Sequence, residues 1–311
     1  MILLTRPSGQ MLRWPTNTKL KCIELVNKGS GNTPDDMWST AWDWTFQQTA
    51  IDKAVLLGAN AVKFQGSSVH LITGGEVNRD VADHQRQALD YCRSQGLAVY
   101  WQMYHKTVYG TEAEQVTMTA AVMRVLRDYT DILVAVDLWN EPDAIGNGTA
   151  SQVASFAALG FPAARAVTAE IPLTISLTIN GASDWLTSAY YAGLVDYVDF
   201  WDFHAYYLST TPQIPATADV NAFRSAAHYK PFILGEVGAP LNPSPSFEYG
   251  PVHQRAFYTA LGDFSRVPDC MGVVAFCMTD YDAGDFGFYT LAFAGPRSQL
   301  SDPFSAWRDV R

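Results

Sequence analysis

"DILVAVDLWNEPD", residues 131–143, decides how the rest of the chain is read. Of the eight residues after Asp131, seven are apolar, and only Asp137 interrupts them. Hydrophobicity this continuous marks a strand covered on both faces, as in a parallel sheet. The run then delivers Trp139, Asn140 and Glu141 to its C-terminal end, just before Pro142, with no basic residue beside the glutamate.

Similar runs recur along the chain. They are "LKCIELVN" (20–27), "NAVKFQ" (60–65), "LAVYWQM" (97–103), "PLTISLTI" (172–179), "VDFWDFHA" (198–205), "PFILGEV" (231–237) and "GVVAFCM" (272–278). Helical patterns lie between them. In "TAWDWTFQQTAIDKAVLLGA" the spacing puts Trp44, Ala50, Ile51, Ala54 and Val55 close to one face. Similar segments start at Val81, Glu112, Ala150 and Pro251, and "SDPFSAWRDV" (301–310) supplies a closing helix. Gly58 and Gly96 fall just past helices, where a left-handed cap favours glycine. Eight strand-then-helix units in series, with no linker and no GxGxxG, predict a closed (β/α)8 barrel over an open doubly wound sheet. The expected fold is an α/β TIM barrel forming one catalytic domain over 1–311.

Composition fits this reading. The chain has 311 residues, 48% of them hydrophobic, enough for a large core. A net charge of −10 and the lack of any Lys/Arg run argue against a nucleic-acid partner. No apolar stretch is long enough for a bilayer. "MILLTRPSGQ" is too short in apolar run for a signal peptide, which leaves the compartment open: cytoplasmic, lysis-released, particle-associated, or exported with the signal outside this numbering. Cys22, Cys92, Cys270 and Cys277 form no CxxC pair and no zinc spacing. Buried free thiols are the favoured reading, with a disulfide left open.

In a barrel of this kind active sites sit at the C-terminal strand ends. Glu141 closes the fourth strand. Glu236, in "PFILGEVGAP", closes the seventh between Gly235 and Gly238. Two such side chains can converge on one ligand across the mouth. Paired carboxylates are the equipment of glycoside hydrolysis: one donates a proton to the leaving oxygen, while the other attacks the anomeric carbon or activates water.

"LWNEP" followed by "ILGEVG", both at strand ends, resembles the clan of retaining β-glycoside hydrolases with catalytic glutamates on strands 4 and 7. The similarity is to glycoside hydrolase family 5, the cellulase and mannanase family, and as strand order it covers nearly the whole chain. The resemblance implies Glu141 as general acid/base and Glu236 as nucleophile. It implies Asn140 on the sugar 2-hydroxyl. "HAY" matches the family's His-x-Tyr, so His204 and Tyr206 would line the site. Relatives carry an arginine late in strand 2, where this chain has Lys63. Strand 3 of relatives often ends in histidine, and here Tyr104 takes that register with His105 one place on. The usual strand-8 tryptophan is replaced by Phe276 or Met278. No metal or organic cofactor is expected, and the partner is a β-linked gluco- or manno-configured oligo- or polysaccharide. A barrel near minimum size favours internal cleavage, while the loops at 239–250 and 279–300 are long enough to block one end.

The plainer readings stand beside these. Glu141 would cap a helix with Pro142 in its first turn, Glu236 would be a salt-bridged strand end, His204 a core histidine, and Lys63 a solvated strand terminus. Trp38, Trp42, Tyr207 and Tyr249 are front-loop candidates for stacking on sugars, whereas Trp139 and Trp201 fit the core. "DYDAGD" (280–285) is acidic but lacks EF-hand spacing. The rival function is a non-catalytic carbohydrate-binding barrel, an adhesion or particle-associated module. A second rival uses Glu141 and Glu236 as metal ligands, against which stands the lack of a His-rich constellation.

Overall fold

The strands form a ring. A computed structural model places β1 at Leu20–Leu25, β2 at Ala61–Gln65, β3 at Ala98–Tyr104 and β4 at Leu133–Trp139. β6 runs Trp201–Tyr206, β7 Phe232–Gly238 and β8 Cys270–Ala275. β5 comes in two pieces, Leu173–Thr174 and Ser176–Thr178, separated by Ile175. The first piece pairs with β4 and the second with β6, and all neighbours in the ring are parallel. Nine strand segments therefore make eight staves, and the short break in β5 is where the two ends of the sheet meet. The structure describes residues 3–6, 8–14, 18–26, 34–66, 70–73, 76–105, 110–144, 148–178, 191–206, 230–238, 259, 261, 268–276 and 307.

Alternation along the strands explains their apolar runs. Ile23, Leu25, Val62, Phe64, Val99, Trp101, Val136 and Leu138 face outward into one core with the helices. Helix α1 (Trp44–Leu56) follows β1, α2 (Arg79–Ser94) follows β2, α3 (Glu112–Leu126) follows β3 and α4 (Ala150–Val167) follows β4. Each begins at a side-chain cap: Asp43, Asn78, Thr111 and Thr149 accept from the backbone N–H three residues on. Thr111 with Glu114, and Thr149 with Gln152, complete capping boxes. Gly58 and Gly96 take positive φ (72° and 70°) just beyond α1 and α2, as expected. The buried face of α1 is Phe46, Gln47, Ala50, Ile51 and Ala54. Val55, expected on that face, is instead exposed, because the face turns one residue toward Phe46. The helices expected at 251–267 and 301–310 lie outside the described residues apart from Thr259, Leu261 and Trp307. No helix among the described residues is long and apolar enough to cross a membrane.

The other strand residues fill the barrel. Leu20, Cys22, Ala61, Ala98, Tyr100, Ala135, Phe200 and Ile233 form a second core inside the ring. An N-terminal hairpin, Leu3–Thr5 paired with Met11–Arg13, brings Leu4, Leu12 and Trp14 into this inner core. Trp14 packs edge-on against Phe200, with ring centroids 5.6 Å apart. The hairpin seals the end of the barrel where strands begin. Arg6 ties it there: its Nε donates to Asp199 at 3.2 Å, Nη2 donates to Ile171 O at 3.0 Å, and Nη1 bonds Ala169 O. Cys22, Cys92 and Cys270 are buried and unbridged. Burial pushes the Cys22 thiol up, so it packs as a small apolar group.

Arg6→Met should lower unfolding free energy by roughly 3 kcal/mol, the low end for a broken buried pair, because Arg165 still reaches Asp199 at 3.1 Å. Urea denaturation monitored by tryptophan fluorescence checks this, and an unchanged midpoint would contradict the anchoring role.

Candidate active site

The strand register gathers the charged groups. Residues paired across neighbouring parallel strands point to the same side, so Glu24 on β1 lies beside Lys63 on β2, and His204 on β6 beside Glu236 on β7. The pairs Gln65–Gln102 and Gln102–Asp137 continue the row through β3 and β4, and Ser176 lies beside Asp202. All these side chains are buried. Apolar residues fill the lower barrel, and polar ones crowd its upper half.

Glu236 is held from two directions. Lys63 Nζ donates to its Oε1 at 2.7 Å and to Gly235 O at 3.3 Å. His204 Nδ1 lies 3.4 Å from its Oε2. The same Nδ1 is 2.8 Å from Glu141 Oε1, so one imidazole bridges both glutamates. One ligand atom from each of Glu141, His204 and Glu236 lies within 4.8 Å of the others. The two carboxyls therefore meet across the mouth.

Glu141 reaches this place through an unusual backbone. Its φ is +44°, in the left-handed region that side chains disfavour. The following proline restricts it further. Hydrogen bonds offset the strain, roughly 1–3 kcal/mol for such a residue: Glu141 N–H donates to Ser176 Oγ at 3.2 Å, and Ala144 N–H donates to Glu141 O at 3.0 Å. Ser176 is fixed in turn by Asp137, which lies 2.8 Å from its hydroxyl and accepts its N–H at 3.0 Å. Glu141 does not cap α4, whose cap is Thr149. Its side chain is 21% exposed, open to the mouth, whereas that of Glu236 is 6% exposed.

The electrostatics follow from burial and pairing. For Lys63 burial opposes the charge, but Glu236 and Glu24 more than restore it and hold the ammonium protonated. For His204 burial again opposes charge, and Glu236 together with the Glu141 hydrogen bond overrides it, raising the pKa to about 10. The imidazole is thus a cation whose Nδ1–H donates to Glu141 Oε1, with Glu236 Oε2 3.4 Å away. Burial, then the charge of Glu236, pushes Glu24 up to about 8. Burial, then Asp202, pushes Asp137 up to about 7. Asp202 is raised by burial and receives the Tyr100 hydroxyl. Taking up a proton is how carboxyls without full pairing tolerate such a site.

Of the residues expected from sequence, Glu141, Glu236, Asn140, His204 and Lys63 come together. Asn140 is buried, its Oδ1 3.3 Å from Ser176 Oγ. His105 is half-buried at the end of β3, 3.3 Å from Gln102. Phe276 follows β8 and donates its N–H to Val237 O. Tyr206 lies in register with Gly238 on β7. Its side chain lies outside the described residues, as do Tyr207, Tyr249, Met278 and the segment 280–285. Tyr104 and Trp38 are corrected. Tyr104 is 1% exposed and packs edge-on against Phe156 of α4, turned away from the barrel interior. Trp38 is fully buried, stacked between Trp42 and Trp101, and its Nε1–H donates to Gln65 O. It braces the end of β2 and offers no face to a sugar. Trp42 is half-buried and stacks on His84. Sequence reasoning missed Glu24, Asp137 and Asp202, although each is a carboxyl in a mainly apolar strand.

No family model and no curated protein matches the chain. Solved structures do. The exo-β-1,4-mannosidase Op5Man5 from Opitutaceae bacterium strain TAV5 superposes with a TM-score of 0.71 at 14% identity, covering 99% of this chain and 60% of that one. The shared fold is a (β/α)8 barrel. GH5_18 from Streptomyces cattleya, in complex with GlcNAc, gives a TM-score of 0.72 at 15% identity over 94% of this chain and 80% of that one. The catalytic domain of a mannanase from Streptomyces sp. SirexAA-E gives 0.66 at 16% identity over 99% and 92%. The chain spans only 60% of the mannosidase's length.

Two predictions follow from this geometry. A Cβ on Gly235 would fall inside the Asp202 carboxylate, so Gly235→Ala should cost roughly 1–3 kcal/mol as an overpacked core does. A wild-type melting temperature for that variant would contradict the contact. The second concerns pH. Asp137, Glu24 and His204 bind protons more tightly folded than at their usual values of 3.8, 4.5 and 6.5. Their stabilisation is complete below those values and is lost as pH climbs through about 7, 8 and 10 respectively. Calorimetric melting temperature should therefore fall steadily from pH 5 to pH 10, and a rise across that window would contradict the assignment.

Proposed function

We propose that the chain is a retaining β-glycoside hydrolase acting by double displacement. One observation carries this reading: carboxyl oxygens of Glu141 and Glu236 converge to within 4.8 Å at a barrel mouth. Retaining enzymes hold their carboxyls about 5–5.5 Å apart, whereas inverting ones need roughly 6.5–9.5 Å for an intervening water. The likeness of the fold to β-mannoside and β-glucoside hydrolases supports the same reading.

The roles follow from the two environments. Glu236 is buried and ion-paired with Lys63 at 2.7 Å, which suits it as nucleophile. Its attack on the anomeric carbon forms a glycosyl ester as the bond to the leaving oxygen breaks. Glu141, nearer solvent, gives that oxygen its proton. Water then enters, Glu141 takes its proton, and the hydroxide oxygen displaces Glu236 at the same carbon. Asn140, fixed at the end of β4, is suited to the sugar 2-hydroxyl. The substrate class is β-linked gluco- or manno-configured poly- or oligosaccharide, with internal cleavage favoured.

The trio Glu141, His204 and Glu236 is also a donor set for a divalent ion. Lys63 Nζ at 2.7 Å from Glu236 and His204 Nδ1 at 2.8 Å from Glu141 already occupy these carboxyls, so a metal would have to compete with both. Turnover insensitive to chelator separates the two readings. Glu236→Ala should lower kcat on an aryl β-glucoside or β-mannoside by at least about 10⁴-fold, a scale typical of losing a catalytic nucleophile. Azide should restore turnover with inverted product. Wild-type turnover in that variant would overturn the assignment, and sugar affinity without hydrolysis in the native protein would favour a binding barrel.

A further inference from the structure

Glu24 is a fully buried carboxyl to which the double displacement gives no task. It stands on β1 in register with Lys63, and its Oε2 lies 3.1 Å from Lys63 Nζ. Its other oxygen accepts from Gln65 Nε2 at 2.5 Å. Gln65 is itself on β2, whose end is clamped by the Trp38 ring N–H on Gln65 O. Around Nζ the structure thus places Glu236 Oε1, Gly235 O and Glu24 Oε2 at 2.7, 3.3 and 3.1 Å. Lys63 Nζ also lies over the Tyr100 ring, 5.7 Å from its centre.

An ammonium is a point charge on a flexible stem, without the planar fork by which a guanidinium orients a carboxylate. Something else must fix where it sits. We infer that Glu24, pinned by Gln65, is a positioning residue that holds Lys63 Nζ against Glu236 Oε1, leaving Oε2 of Glu236 as the attacking oxygen. This rests on the hydrolase reading for its catalytic consequence. Oε2 is the oxygen that faces His204, 3.4 Å from its Nδ1. The groups facing Glu24 are Lys63 and Gln65 on β2, Glu236 on β7 and His204 on β6. A neutral Glu24 leaves the charge of Lys63 to Glu236. Once ionised, at a pH above about 8, it competes for that charge.

The test compares wild type, Glu24→Ala and Glu24→Gln. Glu24→Ala should lower kcat about 100-fold with KM within about threefold, since the sugar contacts are untouched. Glu24→Gln keeps an acceptor oxygen beside Nζ and should recover at least tenfold of that loss, while removing the alkaline fall in rate centred near pH 8. Loss in proportion to melting temperature, no recovery by glutamine, or an unchanged pH profile would overturn the inference. Crystal structures of wild type and Glu24→Ala decide it independently of turnover. Lys63 Nζ moving beyond 3.5 Å from Glu236 Oε1 supports the positioning role, and a contact kept near 2.7 Å removes it. Wild type inactive on every β-glycoside would instead sink the hydrolase reading, with the crystal pair still deciding the role of Glu24.

Discussion

The buried ion pair between Lys63 and Glu236 is the constraint around which the upper barrel is organised. Two opposite charges removed from water carry a desolvation cost of several kcal/mol each, which their attraction repays only with good geometry and further hydrogen bonds. The neighbours meet that condition. Gly235 O and Glu24 take the remaining sides of the ammonium, and His204 takes the second oxygen of Glu236. The absence of a side chain at Gly235 lets β7 pass close against Asp202. A site so costly for stability is the kind that function retains.

The scaffold separates two duties along each strand. Outward residues join the helices in one core, and inward residues are apolar low in the barrel and charged high in it. The hairpin with Trp14 and Arg6 closes the low end. Burial raises the pKa of Glu24, Asp137 and Asp202, which eases the presence of so many carboxyls beside Lys63 and His204. Glu141 stands apart, because its left-handed backbone lifts it toward the mouth while Ser176 anchors its N–H.

Much of this was legible because barrel strands have a strong signature. Eight apolar runs announced the ring, and "WNEP" with "GEVG" marked its two glutamates. Lys63, which stands where the resembled family has arginine, does meet Glu236. Glu24 was overlooked although "LKCIELVN" alternates Cys22 and Glu24 on one face, since hydrophobicity averaged over the run hides a single acid. Trp38 was misplaced for a different reason: local sequence assigns it to a loop, and only packing reveals the stack with Trp42 and Trp101. The hairpin strands are three residues each, too short for period-2 reading. The break in β5 leaves no trace in "PLTISLTI", where Ile175, the residue at the break, is itself a strong strand former.

The convergence of Glu141 and Glu236 bears on one stereochemical fact above all. Proton NMR of the first sugar released from a β-glycoside, recorded before mutarotation, reads the anomeric configuration directly. One oxygen of each carboxyl lying within 4.8 Å of the other fits the close spacing of a retaining pair and predicts β product from β substrate. The α anomer appearing first would contradict the account.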